Sequence, residues 1–199
     1  MDLKIFILII VVYLIGSIPF AYILTSLFGF GDIRKIGSGN VGATNVLRTG
    51  GKKLALTVLT LDIFKGFIPV FLLFLYCESE YLNFTLIFIG CFSILGHIFP
   101  IWLKFKGGKG VATYIGFLLG IDYQLCLIFI LFWIAIALVK KYSSLASILT
   151  LIIIPFSAII LSFEAKLIYI LGFLSILIIF KHIDNIKRLL KGDESKIKF

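Results

Sequence analysis

The chain has 199 residues, 61% hydrophobic and 15% charged, with a formal net charge of +9. Its mean hydropathy is +1.15. Soluble domains carry about 25% charged residues and are too nearly all exterior at this size to hide such an apolar load. A water-soluble enzyme, a disordered chain and a nucleic-acid binder are excluded, leaving an integral membrane protein with several spans.

Seven apolar segments follow in chain order: Ile5–Thr25, Leu54–Tyr76, Leu82–Leu103, Val111–Ile121, Leu125–Val139, Leu145–Phe163 and Leu167–Phe180. A helix needs about 20 residues to cross ~30 Å of hydrocarbon. The first three and the sixth meet that length; the others are short. Joining the fourth to the fifth would bring Asp122 and Gln124 near the bilayer centre, where an Asp costs roughly 2.5–3.5 kcal/mol. Kept apart, the segments place all but Lys4, Lys65 and Lys166 of the 19 basic residues on one side. That side belongs in the cytoplasm. The expected fold is all-α: seven transmembrane helices, N-terminus outside and C-terminus cytoplasmic, as one polytopic membrane domain over 1–199. No cleavable signal peptide is expected, because the first apolar run is too long and no small-x-small site follows it. Cys77, Cys91 and Cys126 lie in or beside apolar segments without metal-ligand spacing and read as small buried hydrophobes.

The informative polar residues gather on the basic side, in four regions. The first runs from Gly37 to Lys53. Gly37, Gly39 and Gly42 spell G-x-G-x-x-G, but apolar helices flank them where a dinucleotide site requires a strand and a βαβ unit. The second, Lys106 to Thr113, fails as a Walker loop. Leu103 stands where its first glycine belongs, and Gly110 follows Lys109 where Ser or Thr is required. The physics of anion binding survives both failures. Gly107, Gly108 and Gly110 let backbone N–H groups turn toward an anion, and the positive N-terminus of the fourth segment faces them. Lys109 adds a charge. In the first region Ser38, Asn40, Thr44 and Asn45 offer hydrogen bonds, and Arg48 offers a bidentate grip on phosphate.

The third region is Asp62 and Lys65, spaced i,i+3 in an apolar helix, and read as a pair that neutralises itself and locks packing. The fourth is His182-Ile183-Asp184-Asn185, followed by Arg188. His182 and Asn185 lie one helical turn apart, and His182 is the better candidate for a reacting hydroxyl. His97 is read as a partly buried helix-end histidine. No G-x-S-x-G elbow occurs. Neither histidine has Asp five positions on, which argues against the H-x-x-x-x-D acyltransferases.

These pieces together resemble a known family, the bacterial acyl-phosphate:glycerol-3-phosphate acyltransferases (PlsY). The matching motifs are Gly37 to Asn45 with Arg48, Leu61 to Gly66, Gly96-His97 with Pro100, Phe105 to Thr113, and His182 to Ile186 with Arg188. Asp184 stands where the resemblance implies Glu. The resemblance implies acyl transfer from acyl phosphate to the 1-hydroxyl of sn-glycerol 3-phosphate, in phospholipid synthesis at the bacterial cytoplasmic (inner) membrane. It implies Ser38, Arg48 and Lys109 at glycerol 3-phosphate, and Gly107, Gly108 and Gly110 around the acyl-phosphate group. His182 and Asn185, with Ser38, would orient the acceptor hydroxyl, and Asn40, Thr44 and Asn45 would support binding. No cofactor, metal or nucleic-acid partner is expected; the partners are the two substrates and membrane lipid. An anion transporter is the alternative from another class. Its site would lie near the midplane between repeats, whereas these polar residues crowd the inner face.

Overall fold

The computed structural model describes residues 3–76 and 84–197; Cys77 lies outside the described residues. Among those residues there are helices and no strands. They are α1 (Leu3–Gly16), α2 (Phe20–Leu27), α3 (Ala43–Thr49), α4 (Gly51–Tyr76), α5 (Phe84–Ile98), α6 (Val111–Ile121), α7 (Tyr123–Lys140), α8 (Ser143–Ile160), α9 (Ala165–Phe180) and α10 (Ile183–Lys191). Short 3₁₀ turns cover Ile33–Lys35 and Ile101–Leu103. The chain divides into two compact units, Met1–Ile121 and Asp122–Phe199.

Five stretches are long and apolar enough to cross a membrane: Leu3–Leu27, Gly51–Leu75, Phe84–Leu103, Tyr123–Lys140 and Ser143–Ile160. A sixth arises if α9 and α10, bent by 58°, count as one span. The short α6 has 11 residues, about 16 Å at 1.5 Å per residue. Its junction with α7 is broken as the burial cost of Asp122 predicts. Asp122 is extended (φ −157°, ψ 123°), and its carboxylate accepts from the Leu125 N–H as an N-cap.

The first apolar segment, expected as one span over Ile5–Thr25, is two helices. Ser17, Ile18 and Pro19 interrupt it, because proline lacks an N–H and biases the preceding residue away from helix. Two side chains from other elements reach into the break. Lys65 Nζ donates to the Ile18 carbonyl at 2.8 Å, and Trp102 Nε1 donates to Ser17 Oγ at 2.9 Å.

In the first unit α1 packs on α5 and α4 on α6. Both pairs meet through glycines. A Cβ at Gly16 would run into the Ser93 backbone and one at Gly66 into the Thr113 carbonyl, the close small-residue packing of membrane helices. Beneath the first glycine-rich loop, Val41 and Val46 join Ala21, Ile33, Leu54 and Leu103 in one apolar cluster. In the second unit α8 packs between α7 and α9, and Trp133 Nε1 donates to Ser147 Oγ at 3.0 Å. Side chains such as Leu131, Phe173 and Ile176 point outward, as lipid-facing residues do. Cys91 and Cys126 are buried free thiols, matching their expected packing role.

Candidate active site

The first glycine-rich loop is organised by Asn45. Its Oδ1 accepts from the Ser38 N–H at 2.9 Å. Its Nδ2 donates to the carbonyls of Ile33, Ile36 and Asn40 at 3.2, 2.9 and 3.1 Å. Asn45 is 1% exposed, so its amide is committed to shaping the loop. Gly37, at φ +60°, lies so close that a Cβ there would strike Asn45 Oδ1. Ser38, Thr44 and Arg48 are exposed, and Asn40 is half-buried. Upstream, Asp32 and Arg34 pair at 2.6 Å, and the Arg34 hydrogen bond holds the Asp32 carboxyl down to about 2.

The second glycine-rich loop is tied to the end of α5. The Gly107 N–H donates to the Ile98 carbonyl and the Gly108 N–H to the His97 carbonyl, each at 3.2 Å. Gly108 and Gly110 are buried, while Gly107 and Lys109 are half-buried. α6 begins at Val111, so its N-terminus opens onto this loop.

The two loops converge at a small cleft within the first unit, with a cavity volume of about 10 Å³. Val41 comes from the first loop and Gly107 and Gly108 from the second; the α1–α2 break, Asp62, Lys65, His97 and Pro100 complete the wall. Asp62 and Lys65 form an ion pair at 2.8 Å with both side chains buried. The expected neutral pair is therefore present, but it also faces the cleft. His97, read as a helix-end residue, is 7% exposed with Nδ1 3.7 Å from Asp62 Oδ1. It belongs to this cleft and was missed. The available signal was that a charged pair inside apolar helices needs polar company.

The second unit holds its own cluster. Glu194 Oε1 accepts from Ser144 Oγ and from Asn185 Nδ2, each at 2.8 Å. Its Oε2 accepts from Arg188 Nε at 2.7 Å. The acid serving Asn185 is thus Glu194, whereas Asp184 is exposed. His182 is 2% exposed, and its Nδ1 lies 2.8 Å from the Ile178 carbonyl. A carbonyl only accepts, so Nδ1 carries the proton and Nε2 of the neutral ring is an acceptor.

Burial works against ionisation of Glu194, but the hydrogen bonds from Asn185, Arg188 and Ser144 prevail and hold its carboxyl below the ordinary 4.5. The resulting stabilisation is full above that ordinary value and is lost as pH falls through the lower folded one. We expect the wild-type melting temperature to drop on acidification below about pH 4.5. Glu194→Gln starts lower and drops less. Thermal denaturation in detergent from pH 7 to pH 3 checks this; parallel curves refute it.

Fold and cleft together define an integral membrane protein with a buried polar cleft beneath glycine-rich basic loops. Residues 6–192 match the family model for glycerol-3-phosphate acyltransferase. A glycerol-3-phosphate acyltransferase of Agrobacterium fabrum is 50% identical over 185 residues, covering 93% of this chain and 88% of that one. One of Pelagibacter ubique is 49% identical, covering 94% of each. The crystal structure of PlsY, an integral membrane glycerol 3-phosphate acyltransferase, in its glycerol 3-phosphate form superposes with a TM-score of 0.92 at 39% identity. It covers 98% of this chain and 96% of that one. The lysophosphatidic acid form superposes at 0.89 and 38%, with the same coverage. The chain belongs to the glycerol-3-phosphate acyltransferase family; it is an integral membrane acyltransferase of phospholipid synthesis.

Proposed function

We propose that this chain transfers an acyl group from acyl phosphate to the 1-hydroxyl of sn-glycerol 3-phosphate. The products are 1-acyl-sn-glycerol 3-phosphate and inorganic phosphate. The observation that carries this reading is the convergence of two glycine-rich loops on one buried polar cleft, an arrangement suited to phosphate groups. The related PlsY structures hold glycerol 3-phosphate and lysophosphatidic acid.

In this reading the loop of Gly107, Gly108 and Gly110 accommodates the acyl-phosphate group by its lack of side chains, since the Gly107 and Gly108 N–H groups are held by the Ile98 and His97 carbonyls, while Ser38, Arg48 and Lys109 hold glycerol 3-phosphate. His182 and Asn185 orient the acceptor hydroxyl, with Asn40 and Thr44 in support. Asn45 acts through the loop it shapes. The hydroxyl oxygen bonds to the acyl carbon as the bond from that carbon to the phosphate oxygen breaks. The proton leaves on a phosphate oxygen. An acyl phosphate is already activated, so positioning and charge stabilisation supply the remaining acceleration. No acyl-enzyme forms; covalent capture of labelled acyl on the protein during turnover would sink that step.

We further propose one functional domain with seven spans in the bacterial cytoplasmic (inner) membrane, N-terminus outside and C-terminus cytoplasmic. The basic-residue asymmetry and the break at Asp122 support this. Impermeant thiol labelling of single cysteines at positions 52 and 166 reads the orientation.

The decisive assay supplies palmitoyl phosphate and labelled glycerol 3-phosphate to the protein in lipid. Lysophosphatidic acid and released phosphate are expected in equal amounts, with no product from palmitoyl-CoA. Lys109→Ala loses one charged phosphate contact, so its kcat/KM falls about tenfold to a hundredfold. Absence of product across several acyl lengths would overturn the donor assignment.

A further inference from the structure

Behind the second glycine-rich loop lies a relay that the proposed reaction does not use. Lys65 Nζ holds the Ile18 carbonyl at the α1–α2 break and pairs with Asp62 Oδ1 at 2.8 Å. That oxygen accepts no hydrogen bond of good geometry, and it lies 3.7 Å from His97 Nδ1. On its far edge the His97 ring packs against the glycine loop. A Cβ added to Gly108 would strike both His97 Nε2 and the Val41 carbonyl. The ring therefore occupies the place where the two loops meet. The charged groups facing it are Asp62 and Lys65, both from α4. From α1, the Tyr13 hydroxyl is turned to the Phe99 carbonyl at 2.7 Å.

We infer that His97 is a positioning residue for the phosphate cradle: the Asp62 carboxylate, 3.7 Å from Nδ1, favours the ring proton there by charge, and the Nε2 edge backs Gly108 beside the Val41 carbonyl. A buried carboxylate beside one ring nitrogen selects the tautomer protonated there. An aliphatic side chain would fill the same volume at lower cost inside a membrane, so volume alone does not explain a histidine. The inference rests on reading the two loops as a phosphate site.

The test uses the full chain, labelled with ¹⁵N-histidine, in lipid nanodiscs. Only two histidines occur, so His97→Gln assigns the spectrum. The expected His97 signal is a neutral ring protonated at Nδ1, and it shifts as inorganic phosphate is titrated in. Asp62→Asn mixes the tautomers and weakens phosphate binding about tenfold. His97→Gln weakens it as much with an unchanged melting temperature, and it decides the matter if Asp62→Asn does not fold. The inference is overturned by a His97 signal indifferent to saturating phosphate, by folded variants with wild-type affinity, or by wild-type protein that does not bind phosphate. Protein that binds phosphate but makes no product from palmitoyl phosphate refutes the donor proposal alone; the ring signal still decides this one.

Discussion

Gly108→Ala is expected to lower kcat/KM by about a hundredfold or more. The added methyl would land on His97 Nε2 and the Val41 carbonyl, and neither is the free end of a flexible chain. One loop must move away from the other. A displacement of ~1 Å at a reacting centre costs about a hundredfold in rate, and here it falls on the cradle and on the first loop together. Gly172→Ala is the control: a Cβ there meets nothing within 4 Å, and activity stays within about twofold, because surface changes away from a site are near neutral. Phosphate release in nanodiscs, beside a melting curve for each variant, separates a displaced loop from an unfolded protein. Gly108→Ala within about threefold of wild type, where a loop shift costs about a hundredfold, would refute this account of the cleft.

The largest stability effect is expected from Lys65→Met. Methionine keeps the length and removes the ammonium, so Asp62 stays buried without its ion-pair partner and the Ile18 carbonyl keeps only the Phe20 N–H of its two donors. Removing one member of a buried ion pair costs about 3–5 kcal/mol. The double replacement Asp62→Leu with Lys65→Met recovers most of that stability, since a matched apolar pair no longer strands a charge. It does not recover activity, because Asp62 no longer orients His97. Denaturation midpoints in mixed micelles for the two singles and the double complete the cycle. A Lys65→Met protein as stable as wild type would falsify the pairing argument.

The helices were legible where apolarity ran unbroken or was cut by a charge. Val111–Ile121 has the bounds read from sequence, and the split before α7 follows from the cost of burying Asp122. The break at residues 17–19 was missed because hydropathy averages over it, although Pro19 carried the signal. The glycine loops were legible through composition; their convergence was not, since proximity between distant segments is a property of packing. His97 was set aside because one histidine near a helix end says little until Asp62 and Gly108 are placed on either side of it. Glu194 was hidden in a tail read only for its positive charge. Asn45 shows the opposite limit: an amide in a polar loop reads as a ligand contact until its bonds to Ile33, Ile36 and Asn40 are seen.

The interrupted first span also ties distant parts of the chain to one cation. The Ile18 carbonyl at the break takes a local bond from the Phe20 N–H at 3.1 Å and a second from Lys65, 47 residues further on. The same ammonium pairs with Asp62. The bend in the first apolar segment and the buried charge pair of α4 therefore share one donor, and a substitution that shifts either is felt by the other.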